Sequence, residues 1–117
     1  MHGFKGERTL MRIHIGERDK DPKSGKPLYQ AIVERAREHG MAGATVIRGV
    51  EGFGKRSHLH TTRILRLSED LPVVIELVDS EERIREIMPV LDEMIGDGLV
   101  TLEAAEIITY RASAPEA

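Results

Sequence analysis

From Thr9 to Ile15 the chain alternates: Met11, Ile13 and Ile15 fall on one side, Leu10, Arg12 and His14 on the other, the period of two expected of a strand. A polar connection follows from Gly16 to Pro27, carrying Lys20, Lys23 and Lys26. Pro27, with Leu28, Ile32, Val33 and Ala36 at helical spacing, predicts an amphipathic helix that ends at Gly40. Ala44 to Val50 reads as a second strand. A segment without periodicity comes next, containing Gly49, Gly52 and Gly54, and is expected to form a long loop reaching about Thr62. A short extended piece over Arg63 to Leu67 and a turn at Ser68-Glu-Asp lead to Pro72. The β-branched run from Val73 to Val78 is a buried strand. Ile84, Ile87, Met88, Leu91, Met94 and Ile95 mark a second helix. Asp79 or Ser80 can cap it, Glu82 suits a capping box with Asp79, and Pro89 predicts a kink or an early break. Gly96-Asp-Gly ends the helix, Leu99 to Tyr110 supplies the last strand, and the tail from about 112 is expected to fray.

Strand, helix, strand, strand, helix, strand is the βαββαβ order. Two right-handed crossovers joined by a hairpin give an α+β, ferredoxin-like sandwich, an antiparallel sheet with two helices on one face. The other face carries Leu10 or its neighbours, Val74, Val78 and Ile108. It is apolar enough to seek cover, so an oligomer is expected.

Composition narrows the function. The 117 residues suit a single domain spanning 1–117 and able to bury roughly two thirds of its unfolded surface. The absence of cysteine removes disulfides, thiolate metal sites and cysteine nucleophiles, and fits a reducing compartment, the cytoplasm. No apolar run reaches the ~18 residues of a membrane span, and Met1 to Glu7 does not read as a signal peptide. A net charge of −3, with two phenylalanines, two tyrosines and no tryptophan, disfavours nucleic acid as a partner.

Two features carry candidate chemistry. Arg48, Gly49, Gly52, Gly54, Lys55 and Arg56 could wrap an anion, since glycine lets backbone amides turn toward a ligand and the cations add charge. This is not a Walker motif, because Arg56 follows Lys55. Solvated charges on a surface loop are the alternative. His58 and His60 project to one side of an extended chain and could ligate a transition metal, given further ligands. Glu69-Asp70 sits in a turn and Glu81-Glu82 in the first turn of a helix, where the macrodipole accounts for acids. No serine, histidine and aspartate set has a nucleophile context, and no specific reaction is indicated.

Gly43-Ala-Thr-Val-Ile-Arg-Gly-Val-Glu-Gly-Phe-Gly, Leu67-Ser-Glu-Asp-Leu-Pro-Val-Val-Ile-Glu and Gly98-Leu-Val-Thr-Leu-Glu resemble the family of domain of unknown function 190, over nearly the whole chain. That family is similar in turn to the PII signalling proteins, which implies a homotrimer with ligand clefts between subunits and a mobile loop, here about 51–62. Ile95-Gly-Asp-Gly resembles the PII turn that meets nucleotide phosphates, which implicates Gly96, Asp97 and Gly98. Leu99 stands where PII proteins carry lysine, and Arg111 is the one arginine near the end of the last strand where they carry two. A less charged adenine nucleotide or another anion therefore suits the chain better than a triphosphate.

The resemblance implies a regulatory sensor that is no enzyme and requires no cofactor. Its loop, with Phe53, Ser57, His58, His60 and Arg63, would dock on a target protein, a membrane transporter by analogy. The alternative is a metal-binding module similar to the copper-tolerance trimers, using His58 and His60.

Overall fold

The computed structural model describes residues 2–3, 6–53 and 71–112. In chain order they form β1 (His2–Gly3), β2 (Gly6–Gly16), α1 (Leu28–Glu38), β3 (Ala44–Arg48), β4 (Pro72–Asp79), α2 (Glu81–Met94), β5 (Leu99–Ile107) and β6 (Arg111–Ala112). The main sheet is antiparallel in the order β3-β4-β2-β5. The alternation along β2 and β4 sorts the side chains. Met11, Ile13 and Ile15 with Val73, Ile75 and Leu77 are buried, and they pack with Leu28, Ile32, Ala36, Ile84, Ile87, Leu91 and Met94 of the helices. Both helices therefore cover one face of the sheet, as the order of elements predicts.

Several boundaries differ from the sequence expectation, each for a local reason. β3 stops at Arg48 rather than Val50, because the Gly49 amide turns to donate to the Pro72 carbonyl at 2.7 Å. Ser80, not Asp79, caps α2: its hydroxyl accepts from the Arg83 amide at 3.2 Å, so Arg83 occupies the position a capping box would give to glutamate. Pro89 does not break α2, which runs to Met94. Pro89 and Arg85 both lie on the exposed side, where water can take the carbonyl that proline leaves without a donor. β5 ends at Ile107, and the chain bends before Arg111 and Ala112 pair with Gly3 and His2 in a two-stranded sheet. Ala112 is thus in a ladder, and residues 113–117 lie outside the described residues, as does the extended piece expected at Arg63 to Leu67.

The C-terminus of α1 is tied to α2. The chain leaves the helix through Gly40, whose φ of 73° suits glycine, and Arg83 donates to the carbonyls of His39 and Gly40 at 3.1 and 2.9 Å. Those carbonyls lie at and beyond the helix end, where a cation is favourable. Arg83→Ala is expected to cost about 1 kcal/mol, below the ~1.5–3 kcal/mol of charged hydrogen bonds because the site is exposed. Urea unfolding against the parent chain measures it.

Candidate functional site

β2 leads into a connection that starts at Gly16. The same end of the sheet holds the C-terminus of β3 and the N-termini of β4 and β5, since Arg48 faces Val73, Gly16 faces Pro72 and His14 faces Leu99. The two glycine-bearing segments therefore emerge side by side in height but on opposite edges: Gly49 and Gly52 beyond β3, Gly96 to Gly98 before β5. Three strand spacings of 4.7–4.9 Å separate these edges, about 14 Å. The connection from Gly16 to Pro27 begins at this same end, which the order of elements alone leaves open.

Gly49, Gly52 and Gly98 are held by close packing. A Cβ on Gly49 would stand 2.8 Å from Cγ of Pro72, and one on Gly52 would stand 3.1 Å from the same atom. A Cβ on Gly98 would meet the His14 carbonyl at 2.9 Å. The Gly49 amide is taken by Pro72, so what Gly49 offers is room for close approach rather than a free N–H. Gly96 is open, with nothing within 4 Å of an added Cβ.

Arg48, at the end of β3, meets Glu17 at 2.6 Å. The Glu17 amide donates to the Leu71 carbonyl at 2.8 Å, so one residue holds both the exit from β3 and the entry to β4. Glu17 carries no spacing or motif signal and was invisible in the sequence; it becomes significant only once β3 and β2 share an end. In the connection, Asp21 accepts from the Ser24 hydroxyl and amide at 2.6 and 3.1 Å, and the hydroxyl bond chiefly lowers its pKa. Lys26 reaches Glu34 at 3.0 Å and lowers that carboxyl. Lys26 is thus engaged on α1.

On the uncovered face of the sheet, register builds rows across the strands. Ile47, Val74, His14 and Leu99 form one, and Thr45, Glu76, Arg12 and Thr101 the next. Arg12 binds Glu76 at 3.0 Å and also Glu103; the Glu76 hydrogen bond and then the charge of Glu103 raise its pKa further. The row of Ile47, Val74 and Leu99 with His14 thus lies beside a charge cluster in which one arginine is shared by two glutamates.

A hollow of about 280 Å³ opens between α2 and the β5 edge, lined by Met11, Met88, Leu91, Ile95 and Val100, with Asp92, Gly96 and Gly98. Among the described residues no group of three or more histidine, aspartate or glutamate side chains could hold a metal ion. Gly54, Lys55, Arg56, Ser57, His58, His60 and Arg63 lie outside the described residues.

The family model described as Uncharacterized ACR, domain of unknown function 190, matches residues 8–107. The chain belongs to this family. A UPF0166 protein of Aquifex aeolicus is 39% identical over 104 residues, covering 87% of this chain and 94% of that protein. A UPF0166 protein of Methanocaldococcus jannaschii is 38% identical over 94 residues, covering 80% and 84%. In shape, the chain is similar to CPII of Thiomonas intermedia K12, a structure bound to ADP and bicarbonate. The TM-score is 0.53 at 14% identity, covering 91% of both chains, and the fold is PII-like and ferredoxin-like. Among the described helices none is long and apolar enough to cross a membrane.

Proposed function

We propose that this member of the domain of unknown function 190 family is a PII-like regulatory protein of one domain per subunit, acting in the cytoplasm without catalysis. It binds an anionic adenine nucleotide between subunits and regulates a target protein, a membrane transporter by the resemblance, through the segment that follows β3. One observation carries this reading: Gly49 and Gly52 share an end of the sheet with Gly96 to Gly98 but sit on opposite edges, about 14 Å apart. One subunit cannot close the two around a ligand, whereas neighbouring subunits can. CPII, similar in fold, is bound to ADP and bicarbonate, which favours a nucleotide of few charges. The turn before Leu99 favours the same class, because it lacks the lysine that a triphosphate would use.

Thermal shift and calorimetry against AMP, ADP, ATP, bicarbonate and divalent metals test the reading. AMP or ADP at 100 times its Kd should stabilise the native state by about 2.7 kcal/mol. Replacing Lys55 and Arg56 with alanine should weaken that binding about tenfold or more. A response to metals alone, lost in a His58→Ala, His60→Ala variant, or no response to any nucleotide, overturns it.

A further inference from the structure

Arg35 with Glu38 and Arg85 with Glu81 are ion pairs within single helices, and Lys26 with Glu34 joins α1 to the connection just before it. Arg48 with Glu17 reaches further. Arg48 ends β3 and Glu17 follows β2, the two strands that flank β4, so the pair bridges both neighbours of β4. Arg48 stands opposite Val73, whose side chain is buried beneath the helices, and therefore lies on the covered side of the sheet. The two partners are not equally fixed. Glu17 belongs to a closed turn: its amide donates to the Leu71 carbonyl at 2.8 Å. Asp19, two residues on, accepts from the Gly16 amide at 2.9 Å and donates to the Gly16 carbonyl at 3.2 Å. The Glu17 side chain is 28% exposed, against 57% for Arg48. The carboxylate is thus held in place, while the guanidinium, with its five donors, keeps room for a second partner.

We infer that Glu17 is a built-in competitor for the anion that Arg48 would bind, and that it sets how much negative charge the ligand can carry. Resting on the reading above that the end of β3 serves an anionic nucleotide, this role for Glu17 adds a rank among the ligands. The chemistry is an exchange at one guanidinium. Two phosphate oxygens match its planar N–H fork better than the single carboxylate oxygen of Glu17, so an arriving phosphate can displace that oxygen. An exposed ion pair is weak enough to yield. At the upper end of its range it lowers ligand affinity about fivefold, which corresponds to about 1 kcal/mol. The displaced carboxylate stays close, because Leu71 still holds its backbone, and it then faces the ligand without a counter-charge. Its repulsion grows with each charge that the ligand carries. Nucleoside mono- and diphosphates are therefore disfavoured less than triphosphates.

Calorimetry with AMP, ADP and ATP on the parent chain and on Glu17→Gln tests this role. Glutamine keeps the size of the side chain and the backbone bond to Leu71, and removes only the charge. Glu17→Gln should bind all three nucleotides more tightly, about twofold for AMP and about fivefold or more for ATP. A residue that merely shaped the site would move all three equally. Arg48 is followed directly with pyrophosphate, which needs no adenine site. The Nε–Hε signal of Arg48, assigned by its loss in Arg48→Ala, should shift on titration, at about fivefold lower concentration in Glu17→Gln than in the parent. Equal affinities in Glu17→Gln and the parent, an equal gain for the three nucleotides, or an Arg48 signal that pyrophosphate leaves in place in both chains overturns the role of Glu17. Nucleotides that bind both chains equally would leave the nucleotide reading standing and remove only Glu17. If no nucleotide binds, yet pyrophosphate moves Arg48 more readily in Glu17→Gln, Glu17 keeps its role and only the nucleotide reading falls.

Discussion

Gly98→Ala should destabilise the chain by about 1–3 kcal/mol, the range found when atoms are forced into a filled site. The added methyl would stand 2.9 Å from the His14 carbonyl oxygen, 2.9 Å from Cγ2 of Ile95 and 3.2 Å from Cγ2 of Ile15. The oxygen belongs to β2, which pairs with strands on both sides, so it cannot retreat without disturbing two ladders. Ile15 is itself nearly buried beneath the helices. The turn must therefore move outward, taking Gly96 and Asp97 with it. A urea midpoint lower by about 1 M corresponds to roughly 2 kcal/mol at an m-value near 2 kcal/mol/M. Gly96→Ala is the control, since its new methyl meets nothing, and it should stay within about 0.5 kcal/mol of the parent. Equal losses at the two positions would mean that backbone freedom, not contact with β2, is what these glycines supply.

The contrast between those two glycines shows what a sequence can and cannot disclose. Both stand in the same Gly-Asp-Gly turn, and the sequence marks the turn as an ending for α2 and as a place where backbone could meet a ligand. Only the register of His14 with Leu99 tells which of the two is pressed against a neighbouring strand. The helices and the central strands were legible, because Met11, Ile13 and Ile15 repeat with period two while Ile84, Ile87, Leu91 and Met94 repeat with the helical period. These periods report burial, and burial is what holds those elements in place. β1 and β6 were not legible, since two-residue strands have no period to detect. Of the kink or early break expected at Pro89, the break does not occur, because the residue faces outward. Residues joined across the sheet end, such as Glu17 with Arg48, are 31 positions apart in sequence and are coupled only by strand order.

The same limit applies to the candidate site. Glycines and cations after β3 were recognisable as residue types suited to an anion. Their relation to Gly96 to Gly98 depends on β3 and β5 being the outer strands of this sheet, a fact of topology. That relation is what the proposed binding of a ligand between subunits rests on.

Asp79→Ala should be the costliest polar replacement among the described residues, about 2–4 kcal/mol by urea unfolding. Asp79 ends β4 on the side facing the helices and is only 8% exposed. Its carboxylate accepts from the Ala42 amide at 2.9 Å and from the Ser80 amide at 2.7 Å. Truncation removes the acceptor from both, and a buried donor without a partner costs about 1–3 kcal/mol. It also removes an anion from the N-terminal end of α2, where the helix dipole favours one. Asp79→Asn keeps one oxygen and should lose about half as much. This joint is the one Arg83 also serves, since Arg83 holds His39 and Gly40 while Asp79 holds Ala42, two residues further along. Either tie alone limits how far the connection between α1 and β3 can move. The double variant Asp79→Ala, Arg83→Ala should therefore deviate from the sum of the single losses by at least about 0.5 kcal/mol, the coupling expected of residues sharing one structural joint. Strict additivity would mean that the two ties hold their carbonyl and amide partners independently, and that the connection is fixed by the strands it joins.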